Sequence, residues 1–205
     1  MRLLIEFDEF EKEQSLVGRM LMAYGEFEFE VARLLGYAIP GGNDTAGRLL
    51  FRVNGEAARL DVADALLRSF FEKLKLGGQW GCAFGALWYC KDIRNQYAHC
   101  TWHSETGKPL TFMLMDKDAD SPDGTLMVQL YPTDLPLLEK QHEYFEYTLD
   151  WLYYLGCECR KHLGEQAPAL KAPKSIPQPP KHNRPKTPPG LPEAGTIPKE
   201  RPGES

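Results

Sequence analysis

LVGRMLMAYGEFEFEVARLLGYA, residues 16–38, decides the fold. Its apolar side chains fall at Leu16, Met20, Tyr24, Phe27, Val31, Leu34, Leu35 and Ala38, in steps of three and four. That spacing gathers them on one face of a helix and leaves Arg19, Glu26, Glu30 and Arg33 on the others. Ile39-Pro40-Gly41-Gly42 then stops it, because a proline pushes the residue before it out of helical backbone. Asn43, Asp44 and Thr45 are the expected caps of a second helix, from about residue 46 to residue 76. It carries Leu49, Val53, Ala57, Leu60, Leu67, Phe70, Phe71 and Leu74 in register. Gly55 is expected to kink or interrupt it, and Gly77-Gly78 to end it.

Working outward, a third helix is expected over about residues 80–100. Trp80, Phe84, Leu87 and Trp88 make its first half apolar, whereas Lys91 to His99 reads as an exposed polar end. Between Pro109 and Pro132 the period changes: LTFMLMD and TLMVQLY are short β-prone runs around the turn formers KDADSPDG, which predicts a hairpin. Asp116, Asp118 and Asp120 have the spacing of a calcium loop, but Ser121 and Met127 stand where such a loop needs glycine and an acid, so a solvated turn is expected. A last helix is expected over about residues 135–163, with Leu138, Phe145, Leu149, Leu152, Tyr153 and Cys157 apolar. Tyr144, Tyr147, Trp151, Tyr153 and Tyr154 crowd it, as core or as a face for a partner subunit.

Composition divides the chain near residue 165. Residues 1–164 hold 17 Lys and Arg against 25 Asp and Glu, a net charge of −8; residues 165–205 hold 7 against 4, with 11 of the 16 prolines and no aromatic residue. A segment of that kind cannot bury enough apolar surface to offset its ordering entropy. The expected class is therefore mainly α: an antiparallel bundle of four to five helices in residues 1–164, with a β-hairpin insertion at about 109–132 before the last helix. Residues 165–205 are expected as a basic, proline-rich, disordered tail.

No apolar run approaches the roughly 20 residues of a membrane span, so no membrane partner is expected. MRLLIEFDEFEKE mixes charges directly behind its apolar start, unlike a secretory leader. Cys82, Cys90, Cys100, Cys157 and Cys159 contain no CxxC pair and are expected as reduced thiols in a cytoplasmic protein.

One string carries chemistry: Lys91-Asp92-Ile93-Arg94-Asn95-Gln96-Tyr97-Ala98-His99. Arginine, a polar residue, three more and a histidine close an otherwise apolar helix. RNQYAH resembles the signature of the HEPN (higher eukaryotes and prokaryotes nucleotide-binding) family, small helical domains marked by Arg, four to six residues, then His. The resemblance covers about residues 16–164. It implies a metal-independent endoribonuclease, a toxin or a defence effector, with Arg94, Asn95 and His99 as catalytic residues and no cofactor. His99 would move a proton near neutral pH, Arg94 would pair phosphate oxygens, and Asn95 would orient one of them or the RNA. Attack by the RNA's own 2′-hydroxyl leaves 2′,3′-cyclic phosphate ends.

Residues five apart on a helix point about 140° away from each other. The resemblance implies a remedy, a homodimer in which both motifs line one cleft. The tyrosine that an antitoxin of the family modifies, two places after the histidine, is Thr101 here, so that control is not carried over and any antitoxin or other protein partner is unspecified. Without activity, the same fold implies a protein- or nucleotide-binding module, with Arg94 in a plain ion pair to Asp92, Glu26 or Glu28. Arg48, Arg52, Arg59 and Arg68 are the expected local stripe for a phosphate backbone. His99, Cys100 and His103 with Cys157 and Cys159 form a weaker zinc alternative, and Lys186 to Pro192 has the spacing of a polyproline ligand.

Overall fold

The computed structural model describes residues 7–105, 107–114 and 130–183. Helix α1, Glu11–Ala38, is the axis of the bundle and buries Met20, Tyr24, Phe27, Val31, Leu34 and Leu35, the stripe read from its sequence. It ends before Pro40, and Gly41 and Gly42 carry the turn at φ of 90° and 64°. Helix α2, Gly42–Leu50, starts in that turn, so Asn43 to Thr45 occupy its first turn instead of capping it. The α1–α2 corner is tight: a Cβ on Gly36 would lie 2.9 Å from the Asn43 backbone.

The expected second helix is two helices. Residues 51–55 break it, with Gly55 at φ 86°, and α3 spans Glu56–Lys73. The break resets the register, so Ala46 and Leu50 face inward while Leu49 is exposed. Lys75 takes φ 60°, and α4, Gly77–Ala98, begins at the glycines expected to end its predecessor. Helix α5, Leu135–His162, closes the bundle; Asp134 caps it by accepting a hydrogen bond from the Leu137 N–H at 2.9 Å. Helix α1 packs on α2, α3, α4 and α5, and α4 packs on α3 and α5.

A three-stranded antiparallel sheet lies between α4 and α5: β1 Thr101–His103, β2 Thr111–Met113 and β3 Leu130–Pro132, in that order. The hairpin of β2 and β3 is the expected one, and β1 is an addition. Trp102, Phe112 and Tyr131 are in register across the three strands and in ring contact, edge-to-face between Trp102 and Phe112 and stacked between Phe112 and Tyr131, a cross-strand aromatic ladder. Asp116, Asp118 and Asp120 lie outside the described residues, as does the polyproline motif at Lys186 to Pro192. In α5, Tyr144, Trp151 and Tyr154 are core, whereas Tyr153 is exposed. All five cysteines are free. Among the described residues no helix is long and apolar enough to cross a membrane.

Gly164, at φ 76°, reverses the chain after α5, with the Glu165 N–H bonded to the Arg160 carbonyl and the Gly164 N–H to the Lys161 carbonyl. This double bond pattern is the Schellman stop. Residues 165–183 contain no helix or strand, as their composition dictates, yet they return alongside α5 until Asn183 reaches Asp134 at its start. The tail expected as disordered is thus seated on the body over its first part. It has no core of its own, but its free carbonyls meet donors that the body provides.

Candidate functional site

Helix α4 is buried along Trp80, Ala83, Leu87, Cys90, Ile93 and Tyr97, steps of three and four that run through the polar motif instead of ending before it. The motif's remaining side chains therefore divide onto two flanks of one buried helix.

Arg94 lies on the flank facing α1 and α3. Its guanidinium pairs with Glu56 at 2.5 Å, donates to Asn95 Oδ1 at 2.9 Å and lies 5.5 Å from the Tyr24 ring centre. Beside it Arg59 pairs with Glu28 at 2.5 Å. Two acids and two arginines, each about a fifth to a quarter exposed, thus form a charge-balanced cluster between three helices. Burial, then the nearby Glu56 and Glu28, pushes the Tyr24 phenol well above its ordinary range. Burial also raises the Glu28 carboxyl, against the pull of Arg59. Tyr24 Oη, Arg59 Nε and Arg94 Nε are buried without a hydrogen-bond partner among the described residues.

His99 caps the C-terminal end of α4 and is exposed, its backbone N–H bonded to the Asn95 carbonyl at 3.1 Å. Asn95 and His99, four residues apart, share a helix face. Arg94 points elsewhere, so within one chain the pair named by the motif is not brought together. Asn95 is the link: its side chain holds Arg94 and its carbonyl holds the backbone of His99.

On the opposite flank stand Tyr89, Asp92 and Gln96, and none of these was singled out by the motif. Gln96 Nε2 donates to the Lys181 carbonyl at 2.8 Å. Gln141 of α5, fully buried, donates to the Pro180 carbonyl at 2.8 Å and accepts from the Tyr97 hydroxyl at 2.6 Å. Asp92 pairs with Lys181 at 2.5 Å and with Lys91 at 3.1 Å. Burial opposes ionisation of Asp92, but the hydrogen bonds from Lys181 and Lys91 prevail and hold its carboxyl below the usual range.

Three of the four arginines of the stripe are in ion pairs, Arg59 largely buried and Arg48 and Arg68 exposed. Arg48 pairs with Asp44, Arg59 with Glu28 and Arg68 with Asp64, which leaves Arg52 without an ion-pair partner among the described residues. The zinc grouping does not assemble: no three His, Cys, Asp or Glu side chains converge among the described residues, and Cys157 and Cys159 are buried in α5. Burial pushes the Cys100 and Cys159 thiols up to about 12. The chain matches no family model, no curated protein and no solved structure.

Glu56, Tyr24, Gln96 and Gln141 are the residues that sequence reasoning missed. Gln141 did carry a signal: it interrupts the apolar stripe of Leu138 and Phe145, and a polar side chain there needs partners. Glu56 carried none, because its meeting with Arg94 depends on how α3 docks.

Proposed function

We propose that the chain is a metal-independent endoribonuclease of HEPN type, acting in the cytoplasm as a homodimer on RNA, as a toxin or defence effector. The supporting observation is the end of α4, where Asn95 orients Arg94 and fixes the backbone of an exposed His99 within one helical turn. In this reading the His99 imidazole transfers the proton of the attacking 2′-hydroxyl or of the leaving 5′-oxygen. Arg94 leaves Glu56 to pair with the phosphate, whose five-coordinate charge it stabilises. A partner copy supplies the second motif, which removes the need for Arg94 and His99 of one chain to converge.

The test is cleavage of mixed RNA in a chelator, with end-group analysis. Arg94→Ala and His99→Ala should each lower the rate by about 100-fold or more, with cyclic phosphate ends in the wild-type products. Equal rates for all three proteins would end this reading.

The Arg94–Glu56 pair favours a second reading, a catalytically silent domain that binds a protein or nucleotide. An arginine already neutralised at 2.5 Å serves the fold first. Glu56→Gln separates the two: it frees the guanidinium, so a ribonuclease gains affinity for RNA while a silent domain only loses stability.

A further inference from the structure

Ile176 to Asn183 reads IPQPPKHN, and it lies in the seam between α4 and α5. Three consecutive carbonyls are recognised there. Pro179 O accepts from the Tyr89 hydroxyl, Pro180 O from Gln141, and Lys181 O from both Gln96 and Gln141, the latter at 3.0 Å. Pro179 is buried. Lys181 Nζ reaches Asp92 and lies 5.3 Å from the Tyr89 ring centre. His182 packs on Tyr131 with ring centres 4.4 Å apart, and Asn183 Nδ2 donates to Asp134 at 3.2 Å.

This is the chemistry of proline-peptide recognition. A segment with prolines at 177, 179 and 180 lacks N–H donors but keeps its carbonyls, and it is already extended before it binds. Its binding site needs donors for those carbonyls, aromatic surfaces for the rings and an anion for the flanking base. Gln96, Gln141 and Tyr89 supply the donors and Asp92 the anion, while the aromatic surfaces meet the flanking residues, Tyr89 under Lys181 and Tyr131 against His182. Gln141 is decisive. A glutamine amide buried to 0 % exposure on a helix finds its acceptors in these two tail carbonyls.

We infer that the α4–α5 seam is a binding site for an extended Pro-Pro-Lys peptide, filled in cis by the chain's own residues 176–183. The docked peptide borders the flank of α4 next to Asn95 and His99, with Lys181 tethered to Asp92 one turn before Asn95. The tail is therefore a ligand of the body, joined to it through the exposed span 168–172.

A protease site inserted in that span of the full chain makes the ligand separable without altering either partner. After cleavage at micromolar concentration the tail fragment should stay with the body on gel filtration. A fluorescent peptide of residues 174–185 should then exchange into the cleaved protein with saturable anisotropy. The same peptide carrying Pro179→Asp, or Lys181→Glu, should bind about tenfold more weakly or worse, since each loses a buried or charge-assisted contact. These substitutions sit in the peptide, so folding of the body is not in question. Immediate loss of the fragment with no saturable peptide binding would overturn the inference, and so would equal binding by the substituted peptides. Neither result bears on RNA cleavage, which is read separately.

Discussion

The two flanks of α4 are built from neighbouring residues of one helix and do opposite work. The Arg94 flank turns its charges inward, where Glu56, Glu28 and Arg59 neutralise one another between helices. The Tyr89–Asp92–Gln96 flank turns its polar groups toward a segment that arrives from the far end of the chain. The conspicuous residue of the motif thus pairs with an acid of α3, while its inconspicuous neighbours hold a segment of the chain's own tail. A polar side chain on a helix is defined by what reaches it, and spacing alone does not say what that will be.

The largest effect is expected on the charged flank. Arg94→Ala leaves Glu56 largely buried without its partner and removes the guanidinium from Tyr24, a loss of about 3 kcal/mol. Urea denaturation should show it, and adding Glu56→Gln should recover roughly 1 kcal/mol or more, the sign of direct coupling. The tail should stay seated in both proteins. If trypsin cuts after Lys181 faster in Arg94→Ala than in wild type, with cutting after the exposed Lys174 as the internal control, the flanks are not independent.

On the other flank the ranking follows burial. Gln141→Leu leaves the Tyr97 hydroxyl and the Pro180 carbonyl unpartnered and should cost about 2 kcal/mol while exposing Lys181 to trypsin. Gln96→Ala removes one hydrogen bond to a carbonyl that keeps a second donor in Gln141, so about 1 kcal/mol is expected, with a smaller gain in cleavage. Should Gln96→Ala free the tail and Gln141→Leu leave it protected, the seam would be organised around α4 alone, contrary to the bonds seen.

Much of this bundle was legible because α1 and α5 are amphipathic at helical period and the hairpin switches period between two prolines. The register of Leu49 was not, since the five-residue break after α2 resets phase and only packing shows it. Nor was β1, whose Thr101-Trp102-His103 is too short to alternate visibly and is held by its pairing with β2. The site divides in the same way. Arg94, Asn95 and His99 stand out by type and spacing, whereas Glu56 is selected by the docking of α3. The tail is the sharpest case: composition correctly denies residues 165–183 a core and regular structure, but it cannot report that another surface offers donors for proline carbonyls.

The smallest effect tests the anion of the seam through pH. Hydrogen bonds from Lys181 and Lys91 overcome burial and hold the Asp92 carboxyl below its ordinary value of about 3.9. A carboxyl whose pKa is lower in the docked state binds its proton more weakly there. Its contribution to docking is therefore complete above the ordinary pKa and is lost as pH falls through the depressed one. Both side chains are about a third exposed or more, so the pair belongs with surface ion pairs and contributes a few tenths of a kcal/mol. Followed by the Lys181 amide chemical shift between about pH 6 and about pH 2, wild type should show an inflection below the ordinary aspartate range. Asp92→Asn should lack that inflection while its tail stays seated at neutral pH, because the carbonyl bonds from Gln96, Gln141 and Tyr89 do not titrate in this range. Superimposable curves would show that Lys181 is held by the Tyr89 ring and by its own carbonyl, and that the charge on Asp92 is incidental to recognition.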